Sequence, residues 1–307
     1  MQRILEPGQI ESLAERSIPR IRLPDRAALF ASRAARLRKL GEDGHAIGDY
    51  LRLMAALADA QQAALAGFAS SPPGAGQLEL ARTHGMPVAP AAGGPRDSRW
   101  RDVLLRLCDA VSASPETPPG VRDLCARLRQ APAAELEAQA DALLGARAEG
   151  IDAAAAPFLM AALQVCWVDL ASRLAVEDVA ELGTHGVCPV CGSLPVASIV
   201  HTDPRSQGYR YLHCALCATE WHMVRVTCSQ CASTKGISYQ AIEGGGDAVR
   251  AECCDGCRTY RKILYQEKDG GVEPVADDLA SLALDLLLTE AGFHRGSGNP
   301  LLWQPRG

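Results

Sequence analysis

Between Cys188 and Cys257 the chain carries four Cys-x-x-Cys pairs: Cys188/Cys191, Cys214/Cys217, Cys228/Cys231 and Cys254/Cys257. The first and third pairs begin 40 residues apart, as do the second and fourth, and 22 residues separate the pairs within each half. Laid over each other, the halves also match at Ser193/Ser233, Ser198/Ser238, Arg210/Arg250 and Thr219/Thr259. A self-match at one fixed offset marks the tandem duplication of a small unit. Two residues between cysteines aim both thiolates of a tight turn at one tetrahedral ion, at about 2.3 Å for zinc. A second turn, brought back by a hairpin, supplies the other two. Strand-type residues at Tyr209–His213, Thr219–Val226, Ala248–Glu252 and Thr259–Gln266, with a turn at Gly244-Gly245-Gly246-Asp247, fit such hairpins. A unit this small buries little apolar surface, so a bound ion supplies much of its folding free energy.

The spacing predicts two metal sites, Cys188, Cys191, Cys214 and Cys217 in the first and Cys228, Cys231, Cys254 and Cys257 in the second. Pairing across the halves also closes two four-sulfur sites; the equal internal intervals favour pairing within each half. Disulfides need an oxidising compartment, and the opening MQRILEPGQIESLAERS has neither a twin arginine nor an apolar segment to direct export. A cytoplasmic location is therefore expected. Cys253 falls outside the repeat register, since His213 stands 40 positions earlier, and reads as a spare, buried thiol beside the second site.

Zinc and iron both suit four thiolates. Rubredoxin-type turns usually place glycine after the second cysteine, but here only Gly192 does so, with Ala218, Ala232 and Arg258 at the other three positions. These residues leave the metal open. Either ion leaves a net negative site, which Arg210, Arg225, Arg250, Arg258, Arg261 and Lys262 can offset through the local field. A solvated strand face is the plainer reading of each.

The remainder of the 307 residues is rich in alanine and leucine and only 5% aromatic, which points to helices. After an arm broken by Pro7, Pro19 and Pro24, with a short helix at Gln9–Arg16, Asp25 caps a helix with Leu29, Phe30, Ala34 and Leu37 on one face and Arg26, Arg33, Arg36 and Arg38 elsewhere. These arginines read as a solvated face. Further helices are expected at about Ala46–Ala66, Ser98–Ala113, Gly120–Gln130, Ala133–Ala148 and Pro157–Ala175, with Ser70–Gly76 and Met86–Pro95 as loops. Cys108, Cys125 and Cys166 lie on helical patterns as core residues. After the repeat, Val275–Gly292 reads as one helix with Leu279, Leu282, Ala283 and Leu286 on its apolar face and Asp277 and Asp278 as first-turn charges. The expected fold is multidomain α+β: an all-α domain over 1–180, four-cysteine modules of rubredoxin-like or zinc-ribbon type over 181–226 and 227–307, and a C-terminal helix in the second.

Other functions find little support. The uncharged run between Asp152 and Asp169 is shorter than a membrane span and contains Pro157 and Gln164, so it reads as a buried helix. A net charge of −5 and a pI near 5.8 argue against a general nucleic-acid partner. A zinc-ribbon binder of nucleic acid or transcription machinery is the alternative, resting on Tyr209, Tyr211, Trp221 and Tyr260 beside arginines. The histidines form no HExxH, Gly244–Gly246 lacks the lysine of a phosphate loop, and Glu220 and His222, on one strand face, read as a mutual pair. A metal-binding protein without catalytic machinery is the expectation, and a redox enzyme ranks behind both readings, because four metal-satisfied pairs leave no free dithiol.

The segments CPVCGS (188–193), RYLHCALCATEWHMVRVTC (210–228), AECCDGCRTY (251–260) and VADDLASLALDLLLTEAGF (275–293) together resemble the bacterial formate dehydrogenase accessory family, FdhE. RLPD…LF…RAARL (22–37) and AALQVCW (161–167) extend the resemblance over nearly the whole chain. It implies a helical domain followed by two rubredoxin-like modules, with iron rather than zinc in the four-cysteine sites. It also implies a helper of respiratory formate dehydrogenase that contacts the enzyme's catalytic subunit in the cytoplasm before export. Cys253, beside the fourth pair, departs from the expected pattern.

Overall fold

The structure, a computed structural model, describes residues 18–42, 44–147 and 149–303. The short helix expected at Gln9–Arg16 lies outside them. Two parts follow one another, a helical region and then a sheet region carrying the cysteines.

Helix α1 (Leu29–Leu40) buries Phe30, Ala34 and Leu37 and packs along α2 (Gly48–Ala66). Basic Arg38 and Lys39 in its last turn suit the negative end of the helix dipole. A helix not foreseen, α3 (Ala75–His84), sits between the two expected loops. It buries only Ala81, so its apolar stripe is too weak to stand out in sequence. Helices α4 (Trp100–Ala113), α5 (Pro119–Gln130), α6 (Ala133–Leu144) and α7 (Ala156–Ser172) follow as expected. Helix α7 is buried nearly all round and forms the axis of the bundle. This accounts for the uncharged run; among the described residues no helix is long and apolar enough to cross a membrane.

The sheet region differs from two separate hairpins. Each half contributes three strands: β2 (Pro195–Val200), β3 (Arg210–Cys214) and β4 (Glu220–His222) in the first, β5 (Ile237–Gln240), β6 (Val249–Cys254) and β7 (Thr259–Tyr265) in the second. Strands β2 and β5 were not anticipated. Strand β2 is buried on both faces, so PVASIV lacks the alternation that marks a half-buried strand. Strands β2 and β7 pair in parallel, with Ser198 opposite Ile263 and Val200 opposite Tyr265, fusing the halves into one sheet. Its order is β1-β4-β3-β2-β7-β6-β5, where β1 (Ile21–Arg22) comes from the N-terminal arm. A short β8 (His294–Arg295) pairs with β7.

The expected C-terminal helix is two helices, α8 (Pro274–Ala280) and α9 (Leu282–Glu290). The Ser281 hydroxyl donates to the Asp277 carbonyl at 2.7 Å, competing with the helix ladder. The Lys262 ammonium reaches the carbonyls of Asp278 (2.8 Å) and Ser281 (3.0 Å), replacing the partners lost at the break. The break shifts the helical phase. Leu284 and Leu288, rather than Ala283 and Leu286, turn inward, to join Ala251, Cys253, Tyr260 and Phe293 in a small core, and Leu286 is left 68% exposed.

Helix α8 also corrects the reading of α1. Arg33 and Arg36 are buried, not solvated: Arg33 Nε donates to Glu273 at 3.0 Å and Arg36 Nε to Asp277 at 2.9 Å. Glu273 is the N-cap of α8, accepting from the N–H groups of Val275 and Ala276. Asp277 is a first-turn charge as expected, but a buried one; Asp278, fully buried, pairs with Arg295 and Lys262 and accepts from Asn299. The helical region is thereby locked to the far end of the cysteine repeat.

Candidate metal centres

The eight cysteines of the repeat gather into two groups, Cys188, Cys191, Cys214 and Cys217, and Cys228, Cys231, Cys254 and Cys257; within each group the sulfurs lie within 4.8 Å of one another. Pairing is within each half, and the cross-paired arrangement does not occur. In the first group Cys188 and Cys217 Sγ are 3.5 Å apart, and Cys191 and Cys214 Sγ 3.4 Å. In the second, Cys228 and Cys257 are 3.6 Å apart, and Cys231 and Cys254 3.7 Å. These spacings exceed a disulfide bond, about 2.05 Å, and suit sulfurs around one ion at about 2.3 Å.

Each turn is built the same way. The N–H of Cys188 bonds the carbonyl of Ser193 (2.9 Å) and the N–H of Gly192 that of Cys188 (2.8 Å); Cys228, Ser233 and Ala232 repeat this at 2.8 and 2.9 Å. The residue after each second cysteine is left-handed: Gly192 (φ 75°), Ala218 (57°), Ala232 (58°) and Arg258 (56°). Three of the four therefore hold a conformation that glycine adopts without cost. The absent glycines reflect tolerated strain, not a different turn. N–H groups of Leu216 and Cys217 point at Cys214 Sγ and that of Gln230 at Cys228 Sγ, each at 3.4 Å. The repeated threonines supply a second contact, with Thr219 Oγ1 3.2 Å from Cys217 Sγ and Thr259 Oγ1 2.9 Å from Cys257 Sγ.

This donor set fits a cation. Burial pushes the Cys188 and Cys214 thiols well up, with Cys191 and Cys217 adding to the rise, whereas at Cys191 burial is outweighed by hydrogen bonds with the neighbouring sulfurs, which bring it well down. Four thiolates packed this closely share the space only around a positive ion. In the second group burial pushes Cys228 up to about 12. At Cys257 burial also acts upward, but the Thr259 hydroxyl and N–H outweigh it and bring the thiol down to about 7. Cys253 is buried, its thiol pushed up to about 11 by burial, and is not among the clustered sulfurs.

The surroundings of the two groups differ. The first is sealed, with every cysteine no more than 1% exposed. Ala89 and Ala91 N–H groups bond the carbonyls of Val190 (2.8 Å) and Cys191 (2.9 Å), and Trp167 Nε1 of α7 holds the Ala89 carbonyl at 3.1 Å. Gln61 of α2 donates to Gln164 Oε1 at 3.0 Å, and Gln164 Nε2 donates to the Ala215 carbonyl at 2.7 Å, joining the bundle to the second turn. In the second group Cys231 is exposed and Cys257 partly so.

Of the basic residues expected around the sites, Arg210, Arg261 and Lys262 are buried, whereas Arg250 and Arg258 are well exposed, at 38% and 46% of their side chains. Arg210 bridges the halves: Nε donates to Ser198 Oγ, Nη1 to the Thr227 carbonyl, and the guanidinium pairs with Glu252 at 2.9 Å. Its repeat mate Arg250 bridges nothing between the halves through an ion pair: it pairs with the exposed Asp247 and lies over the Tyr265 ring, 5.8 Å from its centroid. Arg261 binds Ser229 Oγ at 2.9 Å and Ser297 Oγ at 2.7 Å and has no ion-paired carboxylate among the described residues. Burial, with Arg210 and Arg295 nearby, pushes its guanidinium down to about 9.

Sequence reasoning missed a second cluster. Glu220 takes His201 Nε2 at 2.7 Å, His213 Nδ1 at 3.0 Å and Arg22 Nε at 3.2 Å, rather than pairing with His222. The signal was cross-strand: Glu220 lies opposite His213 in the register of β3 and β4, while His222 lies opposite Tyr211. Of the aromatics on which the zinc-ribbon alternative leans, Tyr211, Trp221 and Tyr260 are buried.

Fold and centres together define a protein of the tandem four-cysteine class: a helical region seated on a sheet that carries two clusters able to hold metal ions. Family models described as "FdhE, N-terminal", "FdhE, central domain" and "FdhE, C-terminal domain" match residues 18–184, 187–225 and 226–302. A protein described as an FdhE homolog from Cronobacter sakazakii is 42% identical, with 99% of each chain covered. One from Edwardsiella ictaluri is 45% identical over 92% of this chain and 90% of its own. The crystal structure of the FdhE protein from Pseudomonas aeruginosa matches with a TM-score of 0.80 and 40% identity, over 94% of this chain and all of that one. The chain belongs to the FdhE family.

Proposed function

We propose that this chain is a non-catalytic maturation protein for respiratory formate dehydrogenase, binding the enzyme's catalytic subunit in the cytoplasm before export. Family membership together with two closed four-sulfur cages supports this reading. Cys188, Cys191, Cys214 and Cys217 hold one ion; Cys228, Cys231, Cys254 and Cys257 hold the other. The helical domain of residues 1–180 then serves as the body on which two rubredoxin-like modules, 181–226 and 227–307, are mounted. Iron is the ion proposed, with zinc as the alternative; iron in four thiolates supplies one-electron exchange, whereas zinc supplies a structural tie alone.

With all four positions taken by protein sulfurs, such a site leaves no coordination position for substrate, which suits docking or electron exchange better than turnover. The chain's own residues shape the site. Thr259 can direct its hydroxyl at Cys257 Sγ, Thr219 Oγ1 stands 3.2 Å from Cys217 Sγ, the turn N–H groups point at Cys214 and Cys228 Sγ, and buried Arg261 places positive charge behind the second cage. Co-purification of the formate dehydrogenase catalytic subunit tests the proposal, repeated with Cys214 and Cys217 changed to alanine. Capture of the subunit, lost or weakened in the double variant, is expected. Undiminished binding and client activity in that variant contradict a role for the first cage.

A further inference from the structure

The two cages are copies in sequence but not in setting. Around the first, two separate elements of the helical region bond the turn backbones: the Ala89–Ala91 strip covers Val190 and Cys191, and Gln164 covers Ala215. The contact is close enough that a Cβ at Gly192 would stand 3.3 Å from Pro87 Cγ. Around the second, the matching carbonyls of Gln230, Cys231 and Asp255 receive no backbone N–H among the described residues. On its inner side a small cleft lined by Ser229, Arg261 and Gly296 reaches the buried Cys228 and Cys254, and on its outer side Cys231 is exposed and Cys257 partly so. A cavity of about 330 Å³ abuts the first cage, but its lining of Gly192, Leu194, Ala215 and Leu216 includes no cysteine, so it gives no route to sulfur.

We propose that the two centres divide the work. The first is a structural tie between the helical region and the sheet, and the second is the exchange centre, open through Cys231 and Cys257 to an incoming thiolate, chelator or redox partner. This rests on the four-thiolate reading above. With an ion held by Cys228, Cys231, Cys254 and Cys257, an incoming ligand would have to displace a sulfur, the exposed Cys231 would be the first to leave, and the released thiolate would take a proton from water, leaving hydroxide. At the inner ion the same step first requires the helical region to lift from Val190, Cys191 and Ala215, an opening that breaks several buried hydrogen bonds at once.

The test uses the full chain as purified, its metal content measured, then treated with excess EDTA while release is followed. Samples are alkylated with N-ethylmaleimide and each cysteine is read by mass spectrometry. Two ions leaving in two equal phases are expected, with rates separated by at least about tenfold. Cys231 and Cys257 should be labelled in the fast phase and Cys188, Cys191, Cys214 and Cys217 in the slow one. Gln164→Ala, which removes one cover of the first cage but no ligand, should speed only the slow phase. Two ions released in a single phase, or the inner cysteines labelled first, overturn the division of labour while leaving the metal sites standing. A chain without metal overturns the four-thiolate reading and this inference with it.

Discussion

Arg36 of the first helix and Asp277 of α8 face each other through two contacts, Nε to Oδ2 at 2.9 Å and Nη2 to Oδ1 at 2.5 Å, with both side chains buried. Their positions lie 241 residues apart in sequence. A buried, two-pronged guanidinium–carboxylate pair fixes distance and angle together, so the helical region and the second half of the repeat are held in one orientation. Asp269 reaches Arg36 Nη1 from the other side at 2.8 Å.

Removing Asp277 leaves the buried Arg36 with Asp269 as its remaining carboxylate, so two charge-assisted hydrogen bonds are lost without stranding the guanidinium. Asp277→Ala is expected to destabilise the protein by about 1–3 kcal/mol, read as a lowered urea midpoint. Arg36→Met combined with Asp277→Leu should recover much of this loss. A single variant with an unchanged midpoint contradicts the account of this interface.

The left-handed residues in the turns give a second prediction. Ala232, exposed and at φ 58°, makes no side-chain contact that glycine would forfeit beyond its methyl group. Ala232→Gly should stabilise the metal-loaded protein by about 0.5–1 kcal/mol, since relief from the left-handed penalty exceeds the entropy cost of glycine. Gly192→Ala should do the reverse, because of its φ of 75° and the nearby Pro87. Arg258 is less suited to the experiment: its guanidinium stacks 3.9 Å from the Phe293 ring and bonds the Ala291 carbonyl, contacts that offset its backbone strain. Thermal melts of the two variants beside the parent chain check the order.

The Glu220 cluster predicts a pH dependence. Burial alone would lower His201, but Glu220 outweighs it and raises the ring above its ordinary 6.5. Burial would raise Glu220, but His201 and His213 outweigh it and hold the carboxyl well below its ordinary 4.5. The raised histidine contributes stability that is complete below pH 6.5 and is lost as pH rises through its folded value. The depressed carboxyl contributes stability that is present above pH 4.5 and is lost as pH falls through its folded value. Urea midpoints of the metal-loaded protein should therefore decline on the alkaline side, and His201→Gln should flatten that decline. Parallel curves for the two proteins contradict the assignment.

How far the residues announced all this varied with the range of the interactions. The turns and their pairing follow from spacing, because two residues between cysteines is a local geometric condition. The helices of the bundle follow from apolar periodicity. The burial of Arg33 and Arg36 was hidden, because a buried and a solvated arginine look alike until Glu273 and Asp277 arrive from far along the chain. The break at Ser281 was equally hidden, since it depends on Lys262 of another strand. Strand β2, buried on both faces, offered no alternation, and Glu220 chose partners across the sheet that no reading along one strand reveals.

Arg261 supplies a prediction about charge. It is buried behind the second cage without an ion-paired carboxylate among the described residues, so the anionic cage is its natural counterpart. Arg261→Met should weaken metal binding at the second centre by about 10–100-fold, read by competition with a chelator, while Arg225→Met, on the exposed linker, should leave it unchanged. Equal affinities in the two variants contradict this role.

Metal content of the intact chain tests the central claim most directly, measured by native mass spectrometry alongside elemental analysis. Two ions per chain are predicted, falling to one when Cys231 and Cys257 are both replaced by serine. A metal-free chain, or masses that reveal the repeat cysteines joined as disulfides, would contradict the account.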